Sequence, residues 1–190
     1  MRITSPERYA LRFDAQTFSV LCRKGTPRFS GIATSKKPKL YIVSVNEQPI
    51  YVGVTKQAIR SRLRFGWKAN GENGYYGYAW RHHLTQAKLD VWCHEDAPDK
   101  NPVLAIETIE AELVFLIRSA GQWPLHQTEI HFHPSNSTHR EVAASIMQHY
   151  TLRPNPSVNT DLAHIAAIKR AIKRATQSNG PGSDNLSTDK

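Results

Sequence analysis

The chain has 190 residues, with 25 Lys and Arg against 16 Asp and Glu, a formal net charge of +9 and a pI near 9.7. That length suits one domain with a sizeable core, and the charge suits a polyanionic partner, nucleic acid ahead of an anionic membrane. No apolar run approaches the roughly 20 residues that span a bilayer, no secretory signal pattern opens "MRITSPERYALRFDAQ", and the two cysteines, Cys22 and Cys93, lack metal spacing and point to a reduced, cytoplasmic setting.

Residues 1–37 read as an N-terminal extension: a short helix around Thr17–Arg23, then the loop "KGTPRFSGIATSKKP". "KLYIVSVNEQPIYVGVT" follows as an apolar β-hairpin. "TKQAIRSRLRF" reads as a short helix with Thr55 as N-cap and Ile59 and Leu63 one turn apart. The glycines of "GWKANGENGYYGYAW" make that stretch a loop, and a second helix is expected to begin within "YAWRHHLTQA". "KLDVWCH" alternates as a third strand. "PDKNPVLAIETIEAELVFLIRSAGQWP" holds the strongest helix pattern, entered through Asn101 and Pro102 and ended by Gly121 and Pro124. "TEIHFHP" reads as extended and "THREVAASIMQHY" as a further helix. "DLAHIAAIKRAIKRA" is a basic amphipathic helix with Leu162, Ile165, Ile168 and Ile172 on one stripe. Residues 178–190 read as a disordered tail. The expected architecture is α+β: a β-β-α-α-β-α core over residues 38–134, with a small antiparallel sheet flanked by helices. Residues 1–37 and helices within 135–177 are added at its ends.

Tyr41 and Tyr51 stand ten positions apart on the hairpin, so they share a face only across an odd-numbered turn or a bulge. Pairing Asn46 with Ile50 leaves a three-residue loop. It puts Leu40, Ile42, Ile50, Val52 and Val54 on a core face with Ser44, and leaves Tyr41, Val43, Val45, Tyr51 and Gly53 on the other. A one-residue slip would mix the two sets, so burial selects this register and aims both hydroxyls at one site. On the next helix, at about 100° per residue, Arg62 lies beside the Ile59/Leu63 stripe while Arg60 and Arg64 fall toward solvent. Arg62 is therefore the arginine able to reach back over the sheet. On the long helix Ile106, Ile109, Leu113, Leu116 and Ile117 define the buried arc, and Glu110 falls inside it, with Glu107 and Glu112 on its flanks. A carboxylate at that margin is costly unless a cation or metal compensates it.

With these residues assembled, the chain resembles the GIY-YIG nuclease family over roughly residues 38–128. "LYIV…YVGVT" is similar to the two tyrosine strand motifs, "AIRSRL" to the arginine helix and "EAELV" to the carboxylate helix. There are departures: Lys39-Leu40 stands where the first motif has Gly-Ile, Arg62 lies one position further from Tyr51 than in excision-repair members, and Gln127 stands where the family often has Asn. The family's further His or Tyr, often four residues past the arginine, meets Gly66 here, so Tyr76, Tyr78 or His82 would have to substitute.

The resemblance implies metal-dependent hydrolysis of DNA phosphodiester bonds. Tyr51 or Tyr41 would position or deprotonate water, as a phenolate favoured by nearby cations. Arg62 would clamp the scissile phosphate. Glu110, with Glu112 as its competitor, would hold one Mg²⁺ (or Mn²⁺) ion per site, completed by water and phosphate oxygens. With the additions modest, a restriction-type enzyme is the leading subclass, and a repair or mobile-element nuclease fits the residues too. One site cuts one strand, so double-strand cleavage calls for a homodimer or sequential nicks.

Further contacts to double-stranded DNA are expected from Arg60, Arg64, Lys68 and Arg81, from Tyr75 in the glycine-rich loop, and from Lys169, Arg170, Lys173 and Arg174 on the last helix. His126, His131 and His133 lie close in sequence without the spacing of a complete zinc site. The alternative from another class is a non-catalytic nucleic-acid-binding module on a degenerate nuclease fold, which needs only the basic faces.

Overall fold

A computed structural model describes residues 2–72, 75, 77–95, 101–122, 124–127 and 130–152. Its strands are β1 (Glu7–Phe13), β2 (Phe18–Cys22), β3 (Lys39–Val45), β4 (Gln48–Thr55) and β5 (Gln86–Cys93). They form one antiparallel sheet in the order β2-β1-β5-β3-β4. Three α-helices accompany it: α1 (Ile59–Lys68), α2 (Pro102–Ser119) and α3 (Ser137–Met147). Short 3₁₀ turns span Gly31–Thr34 and Ala79–His82.

The N-terminal segment corrects the expectation of a helical extension. Tyr9, Leu11 and Phe13 alternate inward along β1, and Val20 lies opposite Leu11 on β2. Between the strands the Asp14 carboxylate accepts from the backbone N–H groups of Gln16 and Thr17, an Asx turn that reverses the chain. Phe18, Val20 and Cys22 thus follow a period of two, and the helix expected around Thr17–Arg23 is a strand that enlarges the central sheet. The second helix expected within "YAWRHHLTQA" is only the 3₁₀ turn Ala79–His82. Thr55 does not cap α1. Its hydroxyl accepts from Gln57 N at 3.0 Å, and the helix starts four residues on, at Ile59.

The β3–β4 hairpin brings its tyrosines together by a different device from the expected three-residue loop. Asn46 and Glu47 form a two-residue turn, both with positive φ (49° and 64°), between paired Val45 and Gln48. Ser44 then pairs with Pro49 and Val43 with Tyr51, so Ile50 is the extra residue of a β-bulge. The bulge supplies the odd count. Tyr41 lies opposite Gly53 and Val43 opposite Tyr51, which puts Tyr41, Val43, Tyr51 and Gly53 on one face. Ile50 packs with that set instead of with Leu40, Ile42 and Val52.

Both faces of the sheet are covered. On one, α1 and the two 3₁₀ turns bury Ile59, Leu63, Trp67, Tyr78 and Trp80 against Tyr9, Leu11, Tyr41, Leu89 and Val91. On the other, α2 and α3 bury Ile106, Ile109, Leu113, Ile117 and Ile146 against Leu40, Ile42, Val52 and Trp92. Asn101 caps α2, accepting from Leu104 N, with Pro102 in the first turn. Asn136 and His139 form a reciprocal capping box for α3. Beyond α2, His126 N donates to Ile50 O and the Gln127 carboxamide accepts from Val52 N at 3.0 Å, so this segment covers the outer edge of β4. Past α3, Tyr150 donates to Asp90 at 2.8 Å and fastens the chain back to β5. The expected final helix and tail lie outside the described residues. Among the described residues no helix is long and apolar enough to cross a membrane.

Candidate active site

Four elements meet on the tyrosine face of the hairpin. β3 contributes Tyr41, fully buried; β4 contributes Tyr51, half-buried; α1 contributes Arg62, half-buried; and Tyr78 enters from the loop before the 3₁₀ turn, also buried. The Tyr41 and Tyr78 hydroxyls lie 3.0 Å apart, and Arg62 Nε donates to the Tyr41 hydroxyl at 3.4 Å. The Tyr51 ring lies 5.9 Å from that of Tyr41 and meets Tyr78 edge-on at 5.5 Å. The Arg62 guanidinium carbon sits 5.7 Å from the Tyr75 ring centroid and 5.9 Å from that of Tyr78. One guanidinium is thus held by aromatic rings and phenols, and among its described partners no carboxylate takes its charge.

Glycine makes this gathering possible at two positions. A Cβ on Gly53 would sit 2.6 Å from the Tyr41 hydroxyl and 2.7 Å from Tyr51 Cε1, so both rings close over the space a side chain would fill. A Cβ on Gly66 would run into the Tyr78 ring. Gly66 lies one helical turn past Arg62, and Tyr78 occupies from the loop the volume that a side chain on that turn would take. Of Tyr76, Tyr78 and His82, the described residues bring Tyr78 to Arg62. Tyr76 lies outside them, and His82 is exposed, its Nε2 accepting from Arg81 Nε.

The electrostatics correct one expectation. Burial pushes the Tyr41 and Tyr51 phenols well above their ordinary range, and neighbouring phenols add to this; Arg62 pulls down but does not compensate. Tyr78 is raised by burial in the same way. At neutral pH these groups are protonated hydroxyls and not the expected phenolate. Burial works against the charge on Arg62, but the surrounding phenols more than offset it and hold its pKa above the usual value.

Glu110, on α2, is 6 % exposed, and its charge reaches Tyr51, whose pKa it raises. Glu112 is half-buried and about 200° further round the helix, so it points away from Glu110. Among the described residues no group of three or more His, Cys, Asp and Glu side chains converges as a metal cage. Glu110 lies on the helix that covers the opposite face of the sheet from Tyr41 and Tyr78 and reaches Tyr51 through its charge, and one carboxylate suits a hard cation that keeps most of its water, as Mg²⁺ does.

Other expected residues fall differently. Arg60, Arg64 and Lys68 are exposed on α1. Arg81 is 8 % exposed and therefore not a surface cation: its guanidinium donates to the carbonyls of Gly66, Trp67 and Ala69 at the end of α1. His133 pairs with Glu107 at 3.1 Å, and His126 stacks on His83. Lys169, Arg170, Lys173 and Arg174 lie outside the described residues. Hollows of about 430 and 640 Å³ lie along β1 and β2, lined by Arg8, Cys22, Arg23 and His149. Comparison with protein-family models, curated proteins and solved structures finds no match for the chain.

Proposed function

We propose that the chain is a metal-dependent DNA endonuclease of the GIY-YIG type, with a restriction-type enzyme as the leading subclass. The observation that carries this reading is the convergence of three phenols, Tyr41, Tyr51 and Tyr78, on the guanidinium of Arg62, with Glu110 acting on Tyr51 from the adjoining helix. Phosphodiester hydrolysis needs a positioned water, a fixed positive charge for the phosphorane and help for the leaving oxygen. Arg62, always protonated, offers a planar fork to two phosphate oxygens. Tyr51 and Tyr41, as neutral phenols, orient the attacking water, and Tyr78 fixes the Tyr41 hydroxyl and the Arg62 plane. Glu110 would hold one Mg²⁺ (or Mn²⁺) ion, which supplies charge stabilisation at the phosphate and a more acidic water when bound. Cutting both strands requires a second copy or a second encounter.

Supercoiled plasmid incubated with the purified protein in Mg²⁺ and in EDTA tests the reading. Nicking or linearisation in Mg²⁺ alone is expected, lost in Glu110→Gln and kept in Glu112→Gln. The raised tyrosine pKa values favour one rival, a binding module without chemistry. Plasmid binding without cutting, across metals and DNA forms, would select it.

A further inference from the structure

Beside the site stands an aromatic pair that packing does not explain. Phe65, one residue past Arg64 on α1, is 56 % exposed, although apolar burial would favour a polar residue there. Tyr75 lies over it, ring centroids 5.2 Å apart and planes at 20°. The Tyr75 ring is also the one beneath Arg62. The Tyr75 hydroxyl is buried and finds no hydrogen-bond partner among the described residues, so Tyr75 contributes its ring alone. Lys68, three residues past Phe65 and on the same side of the helix, is exposed. The sequence Arg62, Tyr75, Phe65, Lys68 thus runs outward from the candidate phosphate clamp as cation, hydroxyl-bearing ring, open ring, cation.

We propose that Phe65, backed by Tyr75, forms a stacking platform for the nucleobase adjoining the phosphate held by Arg62. The inference rests on the nucleic-acid reading of the site. Every base has a π-face, so the platform binds without reading sequence. It requires a base free of its neighbours' stack, and favours DNA that is single-stranded or unpaired near the cut. Lys68 then meets the next phosphate along the strand.

The test is a cycle between protein and DNA, read as the Kd of labelled single-stranded oligonucleotides in EDTA, with abasic sites placed one position at a time. Phe65→Ala should weaken wild-type binding about tenfold, and Phe65→Trp should restore it. One abasic position should cost the wild type about the same factor and cost Phe65→Ala nothing further. Tyr75→Phe, which keeps the ring under Phe65, should bind as the wild type does. Phe65→Ala binding as tightly as the wild type, or abasic losses that add in full at every position, would overturn the platform. A change confined to oligomer mass in Phe65→Ala would do the same and make Phe65 a contact between copies. Plasmid cutting assayed in parallel separates the two readings: cutting with no cycle coupling removes the platform alone, and coupling without cutting removes hydrolysis alone. A wild type that neither binds nor cuts removes both.

Discussion

A single methyl group at position 53 is the smallest change that takes the candidate site apart. The space above Gly53 is filled by the Tyr41 and Tyr51 rings, and an alanine there must displace one of them. Overpacking of this kind costs about 1–3 kcal/mol. A misplacement of about an ångström at a reacting group costs about 10²-fold in rate. Gly53→Ala is therefore expected to lose far more cleavage than stability, checked by urea unfolding beside plasmid cutting. The tyrosines also set a pH dependence. Burial lifts both Tyr41 and Tyr51 well above the usual phenol value, so both stay neutral hydroxyls through pH 9. A phenolate fraction would grow about tenfold per pH unit below the pKa. The single-turnover rate is therefore expected to rise by less than that between pH 7 and pH 9. A full tenfold climb per unit would instead make a tyrosine the group that takes the proton.

At the scale of elements, Arg81 holds the site by ending a helix. Its buried guanidinium serves the carbonyls of Gly66, Trp67 and Ala69, joining the end of α1 to the turn that follows Tyr78. Removing a charged donor from buried acceptors leaves them unsatisfied, and Arg81→Met should cost about 3 kcal/mol in urea unfolding. Loss of DNA affinity at unchanged stability would instead return Arg81 to the DNA-facing cations. In the sequence, an arginine followed by two histidines looked like any surface cation, because nothing local distinguishes a guanidinium that turns inward to three carbonyls. The same limit applies to the hairpin. Shared orientation of Tyr41 and Tyr51 was legible from periodicity, but a bulge at Ile50 and a turn at Asn46–Glu47 give the same outcome as a three-residue loop. Arg62 beside Ile59 and Leu63, and Glu110 within the apolar arc of α2, were legible because a helix repeats at a fixed angle.

Across the whole molecule, an antiparallel sheet with helices on both faces places the candidate chemistry near its β4 edge. β1 and β2 extend the sheet on the far side, pairing through β5 with β3. The short stretch Phe18 to Cys22 resembles one helical turn as readily as a strand, which accounts for the helix expected around Thr17–Arg23. Tyr78 was one of three candidates, with Tyr76 and His82, in and just past a glycine-rich loop. Among the described residues its packing against Gly66 and its contacts with Tyr41 and Arg62 bring it to the site, contacts between distant positions that periodicity does not encode. The central claim is that Glu110 serves hydrolysis and not DNA binding. The most direct test is to measure, on one duplex substrate, both affinity in EDTA and single-turnover cutting in Mg²⁺ for the wild type and Glu110→Gln. Affinity within about threefold with cutting reduced at least about 10³-fold is the predicted result. Cutting that survives in Glu110→Gln at the wild-type rate would contradict it.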